Sequence, residues 1–381
     1  MARRVAVLTT GRQDFGILRS TVKALEADSE FDLLLYVAGT HLSPRHGETA
    51  TILRAEGIVI AAELPFLEDK SDPAAEAGRV LGMVAAQLSE DRPDMFLLVG
   101  DRSETIAAAI AAVLSRVPVV HLHGGEESEG AVDNLFRHAV TKLSHLHLVS
   151  HPVHARRVEQ MGEPPESVHV VGPPGCDNLY REDLPTRASV AEHLGVPLDP
   201  PVVLVTVHPT TLAADPGREI EAVSEAMARN PTATYVVTQP NTDAGGEDIR
   251  EYWRCWSVGR ANVVVTDALG ETRYWGLLRC CQVVLGNSSS GIIEAPVAGV
   301  QVVNVGDRQS GRVRFGPVAD TPAQIEQVSG ALARALRSEL STTYPAIDPA
   351  LPQGLTAPRI LSALRQWTPP VLPRKRFVDM P

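Results

Sequence analysis

A chain of 381 residues is about twice the usual domain length, which predicts two domains of ordinary size. Hydrophobic residues make up 44% and charged residues 21%, a composition that excludes a long disordered tract. A net charge of -11 with a pI near 5.6 excludes general attraction to nucleic acid or to an anionic membrane surface, so any bound phosphate must be held by local donors. Apolar runs such as Ile106 to Leu114 stop well before the roughly 18 residues of a membrane span. The apolar stretch after Met1 is too short for a signal-peptide core, and a cytoplasmic protein is expected. Cys176, Cys255, Cys280 and Cys281 lack the two-residue spacing of zinc or redox motifs, and are read as free thiols in a reducing compartment.

In chain order, RVAVLTT reads as a strand, LRSTVKALEAD as a helix and FDLLLYVAG as a second strand. That alternation is the signature of βαβ units and a parallel sheet. It recurs at DMFLLVGD, ETIAAAIAAVLSR and PVVHLHGG, with HLHLVS and HVVGPPG as the last strands of the first half. The proline-rich LPTRASVAEHLGVPLDPP reads as a linker. The rhythm restarts with VVLVTVHPT, a helix near EIEAVSEAMARN, TYVVTQPN, NVVVTDALG, QVVLGNSSSG and QVVNVGDRQ. The expected architecture is therefore α/β: two Rossmann-like doubly wound domains facing across a cleft, residues 1–182 and 183–357. Residues 358–381 would form a terminal helix and tail returning to the first domain. Ligands of such sheets bind beyond the carboxyl ends of the strands.

Chemistry-bearing residues gather at those ends. TTGRQDFG places Arg12 and Asp14 after the first strand, where Arg12 would clamp a phosphate or the two would simply pair. The spacing is not that of a dinucleotide fingerprint, and no P-loop occurs. GDRSET sets Asp101 and Arg102 after another strand, for proton transfer and anion binding or, in the case of Asp101, for helix capping. HLHGGEESEGAVDNLFRHAVTKLSHLH packs five histidines with Glu126, Glu127, Glu129 and Asp133 around a glycine pair. The spacing of His121 and His123 on a strand would turn both rings to one face, which leaves metal binding open, but no third ligand is picked out. Acid–base work by carboxylates and histidine is the better reading, with His145 and His147 structural. In the second half, His208 follows a strand in VTVHPTT. GNSSSGIIEAP offers Ser288, Ser289 and Ser290 ahead of a helix expected to start near Ile292, an arrangement suited to a diphosphate. Glu294 would accept from ribose hydroxyls, and Arg308 and Arg312 of DRQSGR would add anion contacts.

Those blocks, together with HLSPRHGET, GPPGCDNL and PNTDAGG, run in order over most of the chain. They resemble the hydrolysing UDP-N-acetylglucosamine 2-epimerases, in particular the bacterial sialic-acid and legionaminic-acid pathway type. The resemblance implies a glycosyltransferase-B-like fold, a nucleotide-sugar substrate, a homodimer and no metal or other cofactor. It implies elimination of UDP with loss of the carbon-2 proton, then hydration to the free 2-epimer. Proton transfer would fall to Asp101, His123 or Glu126, and Asp133, with His208 near the diphosphate. The family's Arg-His pair maps to Arg137 and His138. UDP would be held by Ser288, Ser289, Glu294, Arg12, Arg102, Asn241 and Arg312. Against the family pattern, Asn134 replaces an acid beside Asp133, and Glu247 stands where many members carry a basic residue. The alternatives are a hydrolase of another nucleotide sugar or nucleotide, a glycosyltransferase, or a non-catalytic nucleotide-sugar sensor.

Overall fold

The structure, a computed structural model, describes residues 2–68, 72–127, 133–210, 217–240, 245–267, 269–337, 350–352, 354–370 and 374–379. It divides into two compact units, the first made of Met1–Glu127, Ala131–Asp177 and Ala350–Pro381, the second chiefly of Asn178–Pro349.

The first unit is built on seven strands: β1 (Arg3–Thr9), β2 (Phe31–Ala38), β3 (Ala62–Leu64), β4 (Met95–Val99), β5 (Val119–Leu122), β6 (Leu146–Val149) and β7 (Val168–Val170). All pair in parallel in the order β3-β2-β1-β4-β5-β6-β7. Every residue of β4, β5 and β6 is buried, which is why these runs are almost continuously apolar instead of alternating. One face is covered by the helices Arg12–Ala27 and Thr356–Gln366, whose Leu18, Val22, Leu25, Ile360 and Leu364 share a core with Val5, Leu35 and Leu97. On the other face, Pro73–Asp91 and Ser103–Leu114 bring Val84, Leu88, Ala108 and Ala112 against Phe96 and Tyr36. The Thr356–Gln366 helix is tied at both ends. The Asp177 carboxylate accepts from Thr356 N at 2.7 Å and Ala357 N at 2.9 Å, satisfying donors that a helix start leaves open. Arg3 donates to Leu364 O at 2.7 Å and Trp367 O at 3.0 Å.

The second unit has six parallel strands: β8 (Val202–Thr206), β9 (Thr234–Thr238), β10 (Val263–Thr266), β11 (Val283–Gly286), β12 (Gln301–Val305) and β13 (Ala319–Thr321). Their order is β10-β9-β8-β11-β12-β13, with a core of Val203, Val205, Val223, Trp253, Leu285 and Leu332. The strand order reverses between β1 and β4 in one sheet and between β8 and β11 in the other, the point at which open sheets of this kind bind their ligands. Each unit is a doubly wound, Rossmann-like α/β domain on a parallel sheet, as the strand rhythm predicts.

Two local expectations need correction. The proline-rich passage read as a linker carries a helix, Arg187–Leu194, begun by the Thr186 hydroxyl, which accepts from Ser189 N at 3.3 Å. The helix expected near Ile292 is a single turn, Glu294–Val297, preceded by a 3-10 turn at Ser289–Gly291. Among the described residues, no helix is long and apolar enough to cross a membrane.

Candidate active site

The loops after β1 and β4 flank the reversal in the first sheet. Asp14 turns back on its own loop, accepting from Thr10 N at 3.1 Å and from the Thr10 hydroxyl. It does not pair with Arg12, which is exposed and forms no ion pair among the described residues. Arg102 donates to Gln13 Oε1 at 2.6 Å. Burial works against its charge, but the carboxylates of Asp14, Glu104 and Asp133 raise its pKa above the ordinary value. Asp101 is not a helix cap: Arg102 occupies the cap position of the Ser103–Leu114 helix, and the Asp101 carboxylate is ion-paired with Arg137.

Arg137 is the hub of this region. Only 3% exposed, it grips Asp101, donates to Asn134 Oδ1 at 2.6 Å and donates to the Glu126 carbonyl at 2.9 Å. The loop after β4, the loop after β5 and the Asp133–Leu143 helix are thereby bound to one guanidinium. Asn134 also donates to Glu127 Oε2 at 2.8 Å, and His138 Nε2 lies 3.0 Å from Glu127 Oε1. An amide suits this place because it donates to a carboxylate and accepts from a guanidinium at once. An acid in its stead would face Glu127 with like charge. Asp133, exposed at the start of the same helix, lies close enough to act on Arg102.

His121 and His123 part company, contrary to the expectation of a common face. His121 is fully buried in β5, where Nε2–H donates to Gly100 O at 2.9 Å and Nδ1 accepts from the Thr141 hydroxyl at 3.2 Å. Burial pulls its pKa down to about 3, so it is a neutral structural strut. His123 has left the strand with φ of 67°, and its Nδ1 lies 2.6 Å from Glu126 Oε1. His145 and His147 also act locally: His145 Nδ1 accepts from Val119 N at 3.3 Å, and His147 meets Glu163 at 3.0 Å.

Two members of the cluster escape a reading of the sequence. Ser150, just past β6, donates to Glu126 Oε1 at 2.7 Å, and His154 Nδ1 lies 2.9 Å from the same hydroxyl. His154 is the buried partner in the Pro152–Gln160 helix, with a pKa lowered by burial to about 4. The available signal was their position in SHPVH, polar residues directly after a buried strand. Gly125 permits the approach: its φ is 75°, and a Cβ there would lie 2.4 Å from the His154 carbonyl oxygen.

In the second unit, the loops after β8 and β11 are locked by Asn287. Its side chain accepts from His208 N at 2.7 Å, donates to His208 O at 2.9 Å and donates to Glu219 Oε2 at 2.7 Å. The Asn287 carbonyl receives Arg308 at 3.1 Å and Gln309 at 2.7 Å. Glu219 also accepts from the Thr210 hydroxyl at 2.7 Å, and burial raises its pKa. Neither Asn287 nor Glu219 was singled out by spacing. Ser288 accepts from Ser290 N at 3.4 Å, Ser290 meets the Tyr274 hydroxyl, and half-buried Ser289 and Glu294 complete the turn. Arg312 sits on the following loop, where its carbonyl accepts from Arg314 at 2.6 Å. Glu247 pairs with Arg250 on an exposed helix face, directed to solvent. Asn241 and Glu129 lie outside the described residues.

A family model described as UDP-N-acetylglucosamine 2-epimerase matches residues 23–365. The chain is similar to the UDP-N,N'-diacetylbacillosamine 2-epimerase (hydrolyzing) of Legionella pneumophila, 36% identical over 341 residues, covering 88% of this chain and 89% of that one. It is 29% identical over 324 residues to the GDP/UDP-N,N'-diacetylbacillosamine 2-epimerase (hydrolyzing) of Campylobacter jejuni, with 84% of each covered. The solved UDP-GlcNAc 2-epimerase of Neisseria meningitidis bound to UDP-GlcNAc superposes with a TM-score of 0.78 at 16% identity, over 95% of this chain and 100% of that one. At that identity the superposition speaks for the fold, whereas the match along most of the sequence establishes kinship: the chain belongs to the UDP-N-acetylglucosamine 2-epimerase family.

Proposed function

We propose that the chain is a hydrolysing 2-epimerase that converts a UDP-linked 2-acetamido sugar to the free 2-epimer and UDP. The observation that carries this reading is the joining of Asp101, His123 and Glu126 to one network around Arg137 and Ser150, at the carboxyl ends of β4, β5 and β6. The carbon-2 proton of such a sugar is weakly acidic. Its removal requires a base held in contact and shielded from water, while the departing diphosphate must be neutralised. Loss of that proton and of UDP leaves a carbon-1 to carbon-2 double bond. Water then adds at carbon 1, and a proton returns to carbon 2 from the opposite face. Proton transfers are assigned to Asp101, His123, Glu126 and Asp133, with Arg137 and His138 orienting them. The diphosphate and nucleoside are assigned to Arg12, Arg102, His208, Ser288, Ser289, Ser290, Glu294, Arg308 and Arg312, with Asn241 as a further nucleotide contact.

A second reading of the sugar has its own support. Two of the relatives above are named for UDP- or GDP/UDP-N,N'-diacetylbacillosamine. The test is proton NMR in deuterium oxide with UDP-N-acetylglucosamine, UDP-N,N'-diacetylbacillosamine and their GDP counterparts. The expected result is nucleoside diphosphate release, a carbon-2-inverted sugar and one solvent deuteron at carbon 2. Retention of the substrate proton at that carbon would sink the proposal, and the best substrate of the panel identifies the sugar. The family resemblance also supports a homodimer, which light scattering would read out.

A further inference from the structure

Ser150 has one hydroxyl proton and two close partners, Glu126 Oε1 at 2.7 Å and His154 Nδ1 at 2.9 Å. Glu126 Oε1 in turn lies 2.6 Å from His123 Nδ1. The four groups form an unbroken chain drawn from the loop after β5, the end of β6 and the helix Pro152–Gln160. Water is largely kept from it: the side chains of His123, Glu126 and His154 are 13%, 12% and 3% exposed, and Ser150 is 1% exposed.

For these three contacts among the described residues, counting protons leaves one arrangement when Glu126 is ionised. A carboxylate only accepts, so the Ser150 hydroxyl must donate to Glu126, because a lone pair turned toward it at 2.7 Å would be repelled. With its proton committed, Ser150 must accept from His154, which is therefore the Nδ1–H tautomer. On the other side the same carboxylate oxygen must accept from His123 Nδ1–H. His123 then carries its lone pair on Nε2. The logic is that of any histidine whose reactive nitrogen is decided by what the other nitrogen does.

We propose that Ser150 and His154 are positioning residues that hold Glu126 ionised and oriented, so that His123 Nε2 is the base that removes the carbon-2 proton. This rests on the proposed epimerase reading. In the step, the proton passes from carbon 2 to His123 Nε2, the carbon–hydrogen electron pair forms the double bond, and the carbon-1 to oxygen pair leaves with the diphosphate. The imidazolium so formed is stabilised by Glu126 through Nδ1–H. The low pKa of His154, about 4, keeps it neutral over the working range, so it supplies a directed donor without a second charge. Among the described residues, the charges facing the chain include Arg137, which donates to the Glu126 carbonyl, Arg157, which donates to Gly125 O at 3.1 Å, and His151, whose ring centroid is 5.7 Å from that of His154. Neutral His121 lies behind it in β5.

The experiment compares Ser150→Ala, Ser150→Thr, His154→Leu and His154→Asn with the unaltered chain, by kcat, KM and pH profile of carbon-2 deuterium incorporation. One hydrogen bond to a charged group is removed in Ser150→Ala, so kcat should fall by roughly 10- to 100-fold with little change in KM. A donor to the charged form holds an acid's pKa down, so its loss should move the acid limb of the profile to higher pH. Threonine keeps the hydroxyl and asparagine keeps a donor near the Nδ1 position, so both should recover most of the rate. Ser150→Ala with kcat within twofold and an unmoved acid limb would overturn the proposal. Should the alanine or leucine variant fail to fold, nitrogen-15 histidine NMR of the unaltered protein decides: His123 is expected as the Nδ1–H tautomer, and Nε2–H overturns the assignment. If no nucleotide sugar of the panel is turned over, the epimerase reading fails while the tautomer measurement still tests the chain itself.

Discussion

Glu163 is a carboxylate with 1% of its side chain exposed, set among His147 Nε2 at 3.0 Å, Lys142 Nζ at 2.6 Å and Lys375 Nζ at 2.7 Å. Burial alone would raise its pKa, yet these donors pull it from an ordinary 4.5 down to about 2. That difference corresponds to about 3 kcal/mol of stability at neutral pH, in line with the cost of removing one partner of a buried ion pair. The sign follows from the lowered folded-state value: the contribution is complete above the unfolded pKa and is lost as pH falls through about 2. Glu163→Gln, similar in shape, should therefore destabilise the first unit by about 3 kcal/mol at pH 7, lowering its melting temperature by roughly 6–12 °C. By pH 3 the difference should shrink to about 1 kcal/mol. Scanning calorimetry across that range is the assay, read on the transition of the first unit because two units need not melt together. A melting temperature within 2 °C of the unaltered chain at pH 7, which is about 0.5–1 kcal/mol, would refute the reasoning. So would a gap that persists undiminished at low pH. Lys142 lies in the last turn of the helix that carries Asp133, Arg137 and His138, and Lys375 donates to the Lys142 carbonyl at 2.8 Å. A loss of epimerase rate should accompany the loss of stability.

Arg137→Met should lower kcat/KM by roughly 100-fold or more, since it strands Asp101 and frees Asn134 and the Glu126 loop; lysine in its place should recover only a small part, because a point charge cannot fork to three acceptors. Steady-state kinetics checks both. Gly125→Ala meets a positive φ and the His154 carbonyl at 2.4 Å, a strain of about 1–3 kcal/mol; the melting temperature should fall and carbon-2 exchange should slow, and an unchanged rate would show that Glu126 does not depend on this approach. Asn287→Asp would set a second carboxylate 2.7 Å from buried Glu219 and loosen His208, so calorimetric titration with UDP should show roughly 10-fold weaker binding.

Much of the fold is legible in the residues themselves. Runs such as Met95–Val99 and Val202–Thr206 are apolar throughout, and only a parallel strand buried on both faces tolerates that. Because the connections of such sheets return at the same edge, residues directly after each run were bound to collect at the strand ends. Asp101, His123 and Glu126 stand at such ends in the first unit, and His208 and the serines of GNSSSG in the second.

Local pattern fails where a long-range neighbour decides. Strand alternation puts His121 and His123 on one face, but the positive φ at His123 takes it out of the strand, leaving one histidine as a buried strut and the other against Glu126. Ser150 lies 24 residues beyond Glu126 and meets it only because β5 and β6 pair in register, His121 opposite His147. Asn287 and His208, 79 apart, meet because β8 and β11 are neighbours across the reversal of strand order. Composition and periodicity thus determined which segments are strands and where their chemistry emerges. The pairing of strands distant in sequence decided which side chains share a proton, since hydrogen bonds of under 3 Å depend on register, which no single segment carries.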